Sequence, residues 1–298
     1  MSRIRLAIVK TLLRSFKGYK DYTNILNTRK TIEKLAGTLD TRIKGIEYSA
    51  QSIDGLECEW IIPASAMPKK VLLYFHGGGY AICSSVTHRD LVSDIARHAG
   101  ISALVVNYRL APEFKYPAPV EDAAKIYNWL LANGYSGSEI CLGGDSAGGG
   151  IVISTLAYLR NNKITQPKCA FVISPWLDLS LTGDSYKTKQ KQDPMLPANV
   201  FPVWRDNYLG GADTLSEYAS PIFHSLKGLP PVLVQVGEDE LLLSDSVRFA
   251  AKAKEDGVDV RLEVYPRMFH VFNAFWRIIP KAREANRKLG EFIKAQLA

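Results

Sequence analysis

A chain of 298 residues, 47% hydrophobic and 22% charged, has the composition of a folded globular protein and the length to bury a large core. The formal net charge is +7, but apart from a run near the start the basic residues are dispersed, and no nucleic-acid-binding module accompanies them, so a nucleic-acid partner is excluded from the reading. No apolar run is long enough to span a bilayer, and charges break up the apolar core that a signal peptide would need.

In chain order, Ile4, Leu6, Ala7, Val9, Leu12, Leu13 and Phe16 interleave with Arg3, Arg5, Lys10, Arg14 and Lys17, which predicts a basic amphipathic helix. Packing of its apolar stripe on the rest of the protein is preferred over contact with a membrane surface, and stable membrane insertion is not expected. From about Gly45 strands and helices alternate. Strands are expected at 46–50, 56–62 and 71–75, the last running into His76-Gly77-Gly78-Gly79. A helix is expected from about Thr87, with Asp90 completing a capping box, Leu91, Ile95 and Ala99 on its inner face, and Gly100 as its stop. A strand at 103–107, a helix at 120–133, a strand at 139–142, a helix at 147–159 and a strand at 169–174 follow.

Between Pro175 and about Pro230 the alternation stops, and no strand signal is present. It resumes with a strand at 232–236, a helix at 244–255 that Ser244 can cap, a strand at 260–265 and a helix at 280–297. Such alternation predicts a mainly parallel sheet covered by helices on both faces. The N-terminal segment and the 175–230 stretch fall outside that pattern. The four cysteines, Cys58, Cys83, Cys141 and Cys169, form no CxxC pair and no zinc-ligand spacing. Three sit in or beside strand-like segments and read as buried free thiols, with no sign of an oxidising compartment; a cytoplasmic location is expected.

Chemistry concentrates in a few places. Gly144-Asp145-Ser146-Ala147-Gly148 stands between a strand and a helix and fits the G-x-S-x-G turn that exposes a nucleophilic serine. Glycines on either side relieve crowding there, and the helix N-terminus favours developing negative charge. His76-Gly77-Gly78-Gly79 offers backbone N–H groups to an oxygen, as an oxyanion hole requires; neither G-x-G-x-x-G nor a Walker lysine supports a phosphate loop instead. With a serine nucleophile on such a turn, acid and then histidine follow in the chain. Of the five histidines only His224 and His270 follow Ser146, and His270, just after the last strand, is preferred as base. His76 is read as structural. The acid must come from Glu238, Asp239 or Glu240, after the 232–236 strand.

Together these segments, with Tyr108-Arg109-Leu110-Ala111-Pro112-Glu113 and Tyr116-Pro117-Ala118, resemble the hormone-sensitive-lipase branch of α/β-hydrolase serine esterases. The resemblance runs from about Val71 to His270. It implies an eight-stranded, mainly parallel sheet flanked by helices, with a helical cap, and divides the chain into a catalytic domain at 44–178 and 219–298 and a cap at 1–43 and 179–218. It implies carboxylester hydrolysis with short acyl chains, through a Ser146–His270–acid triad and an acyl-enzyme, without metal or cofactor. The N–H groups of Gly78, Gly79 and Ala147 would form the oxyanion hole. The loop departs from the branch's usual Asp-Pro-Leu. A subgroup resembling bacterial acetyl-esterases uses Glu, and Glu240 stands five residues before Asp245, where the branch carries an acidic residue; Asp239 remains the alternative acid. An amidase or deacetylase would use the same machinery, a receptor would lack part of it, and pairing of two copies across the last strand stays open.

Overall fold

The computed structural model describes residues 2–19, 23–38 and 41–298. Residues 1, 20–22 and 39–40 of the expected cap, and the side chains of Arg3 and Phe16 in the expected amphipathic helix, lie outside the described residues.

Residues alternate between two faces along a strand, and here the alternation feeds two separate cores. The eight strands are β1 (Ile46–Ile53), β2 (Leu56–Pro63), β3 (Val71–Phe75), β4 (Ser102–Val106), β5 (Ile140–Asp145), β6 (Cys169–Ile173), β7 (Val232–Gly237) and β8 (Val260–Tyr265). The helices are α1 (Ser2–Tyr19), α2 (Ile25–Thr38), α3 (Ser85–Ala99), α4 (Ala118–Ala132), α5 (Ala147–Asn161), α6 (Ser185–Thr188), α7 (Val200–Leu209), α8 (Leu243–Glu255) and α9 (Pro280–Gln296). Leu73, Phe75, Leu104, Val106 and Leu142 pack with Ile126, Ile151, Leu156 and Phe249 of α4, α5 and α8. Their neighbours Leu72, Tyr74, Ala103, Val105 and Cys141 turn to the opposite face, against Leu91, Ile95, Leu289 and Ile293 of α3 and α9.

The sheet order is β1-β2-β4-β3-β5-β6-β7-β8. Strands β3 to β8 pair in parallel, with Phe75 opposite both Val106 and Gly144; β2 runs antiparallel to β1 and β4. The central strands β3, β5, β6 and β7 are buried along their whole length, as a sheet covered on both faces requires. All four cysteines are free thiols, and Cys83 is the one not fully buried. Among the described residues no helix is long and apolar enough to cross a membrane.

Three local expectations are corrected. Thr87 does not start α3: Ser84 is its N-cap, and the Thr87 hydroxyl, at the third helical position, accepts the Ser84 N–H at 3.0 Å. Asp90 accordingly pairs with Arg277 at 2.6 Å rather than completing a cap, while Gly100 ends the helix at φ 68° as expected. Ser244 lies inside α8; its hydroxyl accepts the Ser185 N–H and its own N–H reaches the Ser185 hydroxyl, both at 2.9 Å. Glu139 closes a single 3-10 turn, and β5 starts one residue later and continues to Asp145.

Candidate active site

The parallel strands β3, β5, β7 and β8 deliver the glycine loop, Ser146, the acid loop and His270 to one edge of the sheet, their carboxyl ends, whereas His224 follows none of them. There β5 passes into α5 through Ser146, whose φ of 52° and ψ of −122° are rare for a residue with a side chain. Strain of this kind costs of order 1–3 kcal/mol and persists only where surroundings hold it. The Ser146 N–H donates to the Ile173 carbonyl at 2.8 Å, and its carbonyl accepts from Gly150 at 3.1 Å and Trp176 at 2.9 Å. At Gly148 a Cβ would strike the Phe75 and His76 carbonyls, so only glycine lets α5 start this close to β3.

The glycine loop follows β3, with Gly78 at φ 114° and Gly79 at φ 59°. Among the described residues no acceptor takes the N–H of Gly78, Gly79 or Ala147. Asp145, beside the serine, ties this loop to the elbow. Its carboxylate accepts the Tyr74 hydroxyl at 2.7 Å and the Gly77 N–H at 3.1 Å, and faces His88 Nε2 at 3.2 Å. Burial pushes the Asp145 carboxyl up, but His88 and Tyr74 outweigh it and hold it below its ordinary value. Burial likewise pushes His88 down, and the Asp145 charge and hydrogen bond leave it above its ordinary value. Sequence reasoning missed this pair, although Asp145 stands within the motif. His76 is structural: Nδ1 donates to the Gly77 carbonyl at 2.7 Å, and the ring stacks on Tyr108 at 4.4 Å. Burial pulls its pKa down to about 3, so it stays neutral.

His270 follows β8, and its Nδ1 faces Glu240 Oε1 at 3.4 Å. The other Glu240 oxygen accepts the Ser174 hydroxyl at 2.8 Å and the Gly237 N–H at 2.9 Å. Ser174 also accepts the Val271 N–H at 3.1 Å, so one hydroxyl joins the acid loop to the histidine loop. A lone serine after a strand carries no pattern that would have revealed it. Asp239 turns away to Lys10 Nζ at 2.6 Å. Glu238 accepts the Arg267 N–H at 2.9 Å, and His224 binds the Leu215 carbonyl at 2.7 Å. Burial would lower the His270 pKa; the Glu240 hydrogen bond and charge, helped by Asp193 and Asp145, outweigh it and hold the imidazole above its ordinary value.

Ser146 and His270 open into one cavity of about 450 Å³. One side carries Gly78, Gly79, His88 and Asp145; Trp176, Phe201 and Trp204 form an aromatic wall, and Ile32 of α2 adds to the lining. Trp176 meets Phe201 edge to face at 5.1 Å, and Trp204 fills the space beside Gly79.

Sheet order, elbow and cavity define an α/β hydrolase. A family profile described as alpha/beta hydrolase fold matches residues 72–274. An acetyl-hydrolase of Streptomyces hygroscopicus is 38% identical over 236 residues, covering 79% of each chain. An esterase of Acinetobacter venetianus is 34% identical, covering 78% of this chain and 77% of its own. A solved esterase of the bacterial hormone-sensitive lipase family superposes with a TM-score of 0.94 at 40% identity, over 99% of this chain and 98% of that one. The chain belongs to this family of carboxylic ester hydrolases.

Proposed function

We propose that this esterase cleaves short-acyl esters with Ser146 as nucleophile, His270 as general base and Glu240 as the acid that orients it. Ser146 Oγ attacks the ester carbonyl while His270 Nε2 takes its proton, and Glu240 holds the proton on Nδ1 and stabilises the imidazolium. The N–H groups of Gly78, Gly79 and Ala147 receive the oxyanion. His270 returns its proton to the leaving alcohol, then activates a water that attacks the acyl-enzyme and releases the acid. No step needs a metal or an organic cofactor.

The observation that carries this reading is the buried His270–Glu240 contact behind a cavity that Ser146 also lines. The short-acyl preference rests on the aromatic wall of Trp176, Phe201 and Trp204 beside the serine, and on the acetyl-hydrolase relative. Division into a catalytic domain at 44–178 and 219–298 and a cap at 1–43 and 179–218 is supported by Ile32, Met195, Leu196, Val200, Phe201 and Trp204, which close the cavity from those segments. The test is a rate profile over p-nitrophenyl esters of graded acyl length, with matched anilides alongside. Highest kcat/KM on the acetate-to-butyrate members is expected, and anilides should be slower by orders of magnitude. A maximum at long chains, or anilides cleaved as fast as esters, would contradict the reading.

A further inference from the structure

α1 contributes none of the described side chains that line the cavity. What it touches instead is the back of the catalytic loops. Leu6 and Val9 are buried against Met268, Phe269 and Phe272, which flank His270, and Leu13 packs against the same cluster. On that stripe, at helical spacing, lie two lysines. Lys10 Nζ pairs with Asp239 Oδ2 at 2.6 Å, with the two side chains only 11% and 21% exposed. Lys17 Nζ donates to the Asp193 carbonyl at 2.8 Å.

The two aspartates meet the acid loop on either side of Glu240. Asp239 immediately precedes Glu240, and its N–H donates to the Met268 carbonyl at 2.8 Å, joining the acid loop to the histidine loop. Asp193, buried, accepts the N–H of Leu241, immediately after Glu240, at 3.0 Å. Its second oxygen accepts the N–H groups of Met195 at 2.8 Å and Leu196 at 3.0 Å, both at the cavity wall. Burying an ammonium is costly unless it is paired, so the buried Lys10 marks where the helix is fastened, and the half-buried Lys17 ties its last turns to the Gln190 and Asp193 carbonyls.

We propose that α1 braces the catalytic loops, with Lys10 and Lys17 as positioning residues that hold Glu240 in register with His270. This rests on the triad reading above. Lys10→Met, Lys17→Met and Lys10→Arg are compared with the wild type on p-nitrophenyl butyrate, with folding checked by thermal melting. As a control, Arg5→Gln/Arg14→Gln alters exposed positions of the same helix. Small misplacements of catalytic groups cost up to about 100-fold; we expect kcat about 10-fold lower in each Met variant, KM within about twofold, Lys10→Arg near wild type and the control unchanged. Because Lys10→Met leaves Asp239 unpaired and can unfold, Lys10→Met/Asp239→Asn removes both charges; it should fold and show the same loss in kcat as the single changes. Wild-type kcat in folded Met variants or in the charge-neutral pair would overturn the proposal, as would a rise in KM alone. Labelling of the wild type by a serine-directed fluorophosphonate separates the two readings: without it the triad reading fails, and with it a failed kinetic result counts against the brace alone.

Discussion

At Glu240 one buried carboxylate serves three partners, the His270 imidazole, the Ser174 hydroxyl and the Gly237 N–H. The sequence left Glu240 and Asp239 in competition because both sit in the same short loop. Their side chains point differently: Glu240 faces His270, and Asp239 pairs with Lys10. Glu240→Gln should lower turnover by about 10²–10⁴ through the wrong imidazole tautomer, with Asp239→Asn costing no more than about 10-fold. The pH profile adds a second check. In the proposed mechanism His270 acts as a base only when neutral, and its pKa is held above the ordinary 6.5, so activity should fall as pH drops through a value above 6.5. Removing the Glu240 charge removes the main support of the imidazolium, so the acidic limb of kcat/KM in Glu240→Gln should move to lower pH. A larger loss in Asp239→Asn would transfer the role of acid to Asp239. Ser174 and the His88–Asp145 pair were not legible in the sequence, because their partners come from helices and loops distant in the chain and follow no spacing rule.

Element boundaries were misread where hydroxyl residues cluster, since Ser84, Ser85 and Thr87 can each cap a helix and tertiary contacts choose among them. Burial governs the first turn of α8. Asp245 Oδ2 accepts the N–H groups of Leu177 at 2.9 Å and Asp178 at 3.0 Å, and the Tyr186 hydroxyl at 3.2 Å. Burial, with Asp178 nearby, pushes its pKa up to about 8 from 3.8. Between those two values the folded chain binds a proton that the unfolded chain has released, so this group's contribution to stability is lost as pH rises through that window. Asp245→Asn keeps the acceptor oxygen and cannot ionise. The difference in Tm, variant minus wild type, should therefore become more positive by about 5 °C or more between pH 5 and pH 8.5. A difference independent of pH would contradict the assignment.

For the whole molecule, alternation of strand and helix made the parallel sheet legible, and the interruption at 175–230 marked the segment that supplies the aromatic wall of Trp176, Phe201 and Trp204. Strand order was not legible, because parallel neighbours are joined by crossovers whose landing place no local pattern records. Nor was the inward turn of Lys10 and Lys17, which in the sequence read as charges interrupting an apolar stripe. Arg29 of α2 adds a further tie, donating to the Ala81 carbonyl at 2.7 Å and pairing with Glu113 at 2.8 Å, so α2 is fastened just beyond the glycine loop. In the proposed mechanism all these supports converge on Ser146, held in a strained turn where a cavity, a base and unpaired N–H groups meet. The most direct measurement is the turnover of Ser146→Ala on p-nitrophenyl butyrate, with its thermal melt recorded beside the wild type. A folded variant with turnover reduced by about 10⁴ or more is predicted; a folded Ser146→Ala protein that turns over at near the wild-type rate would contradict the account.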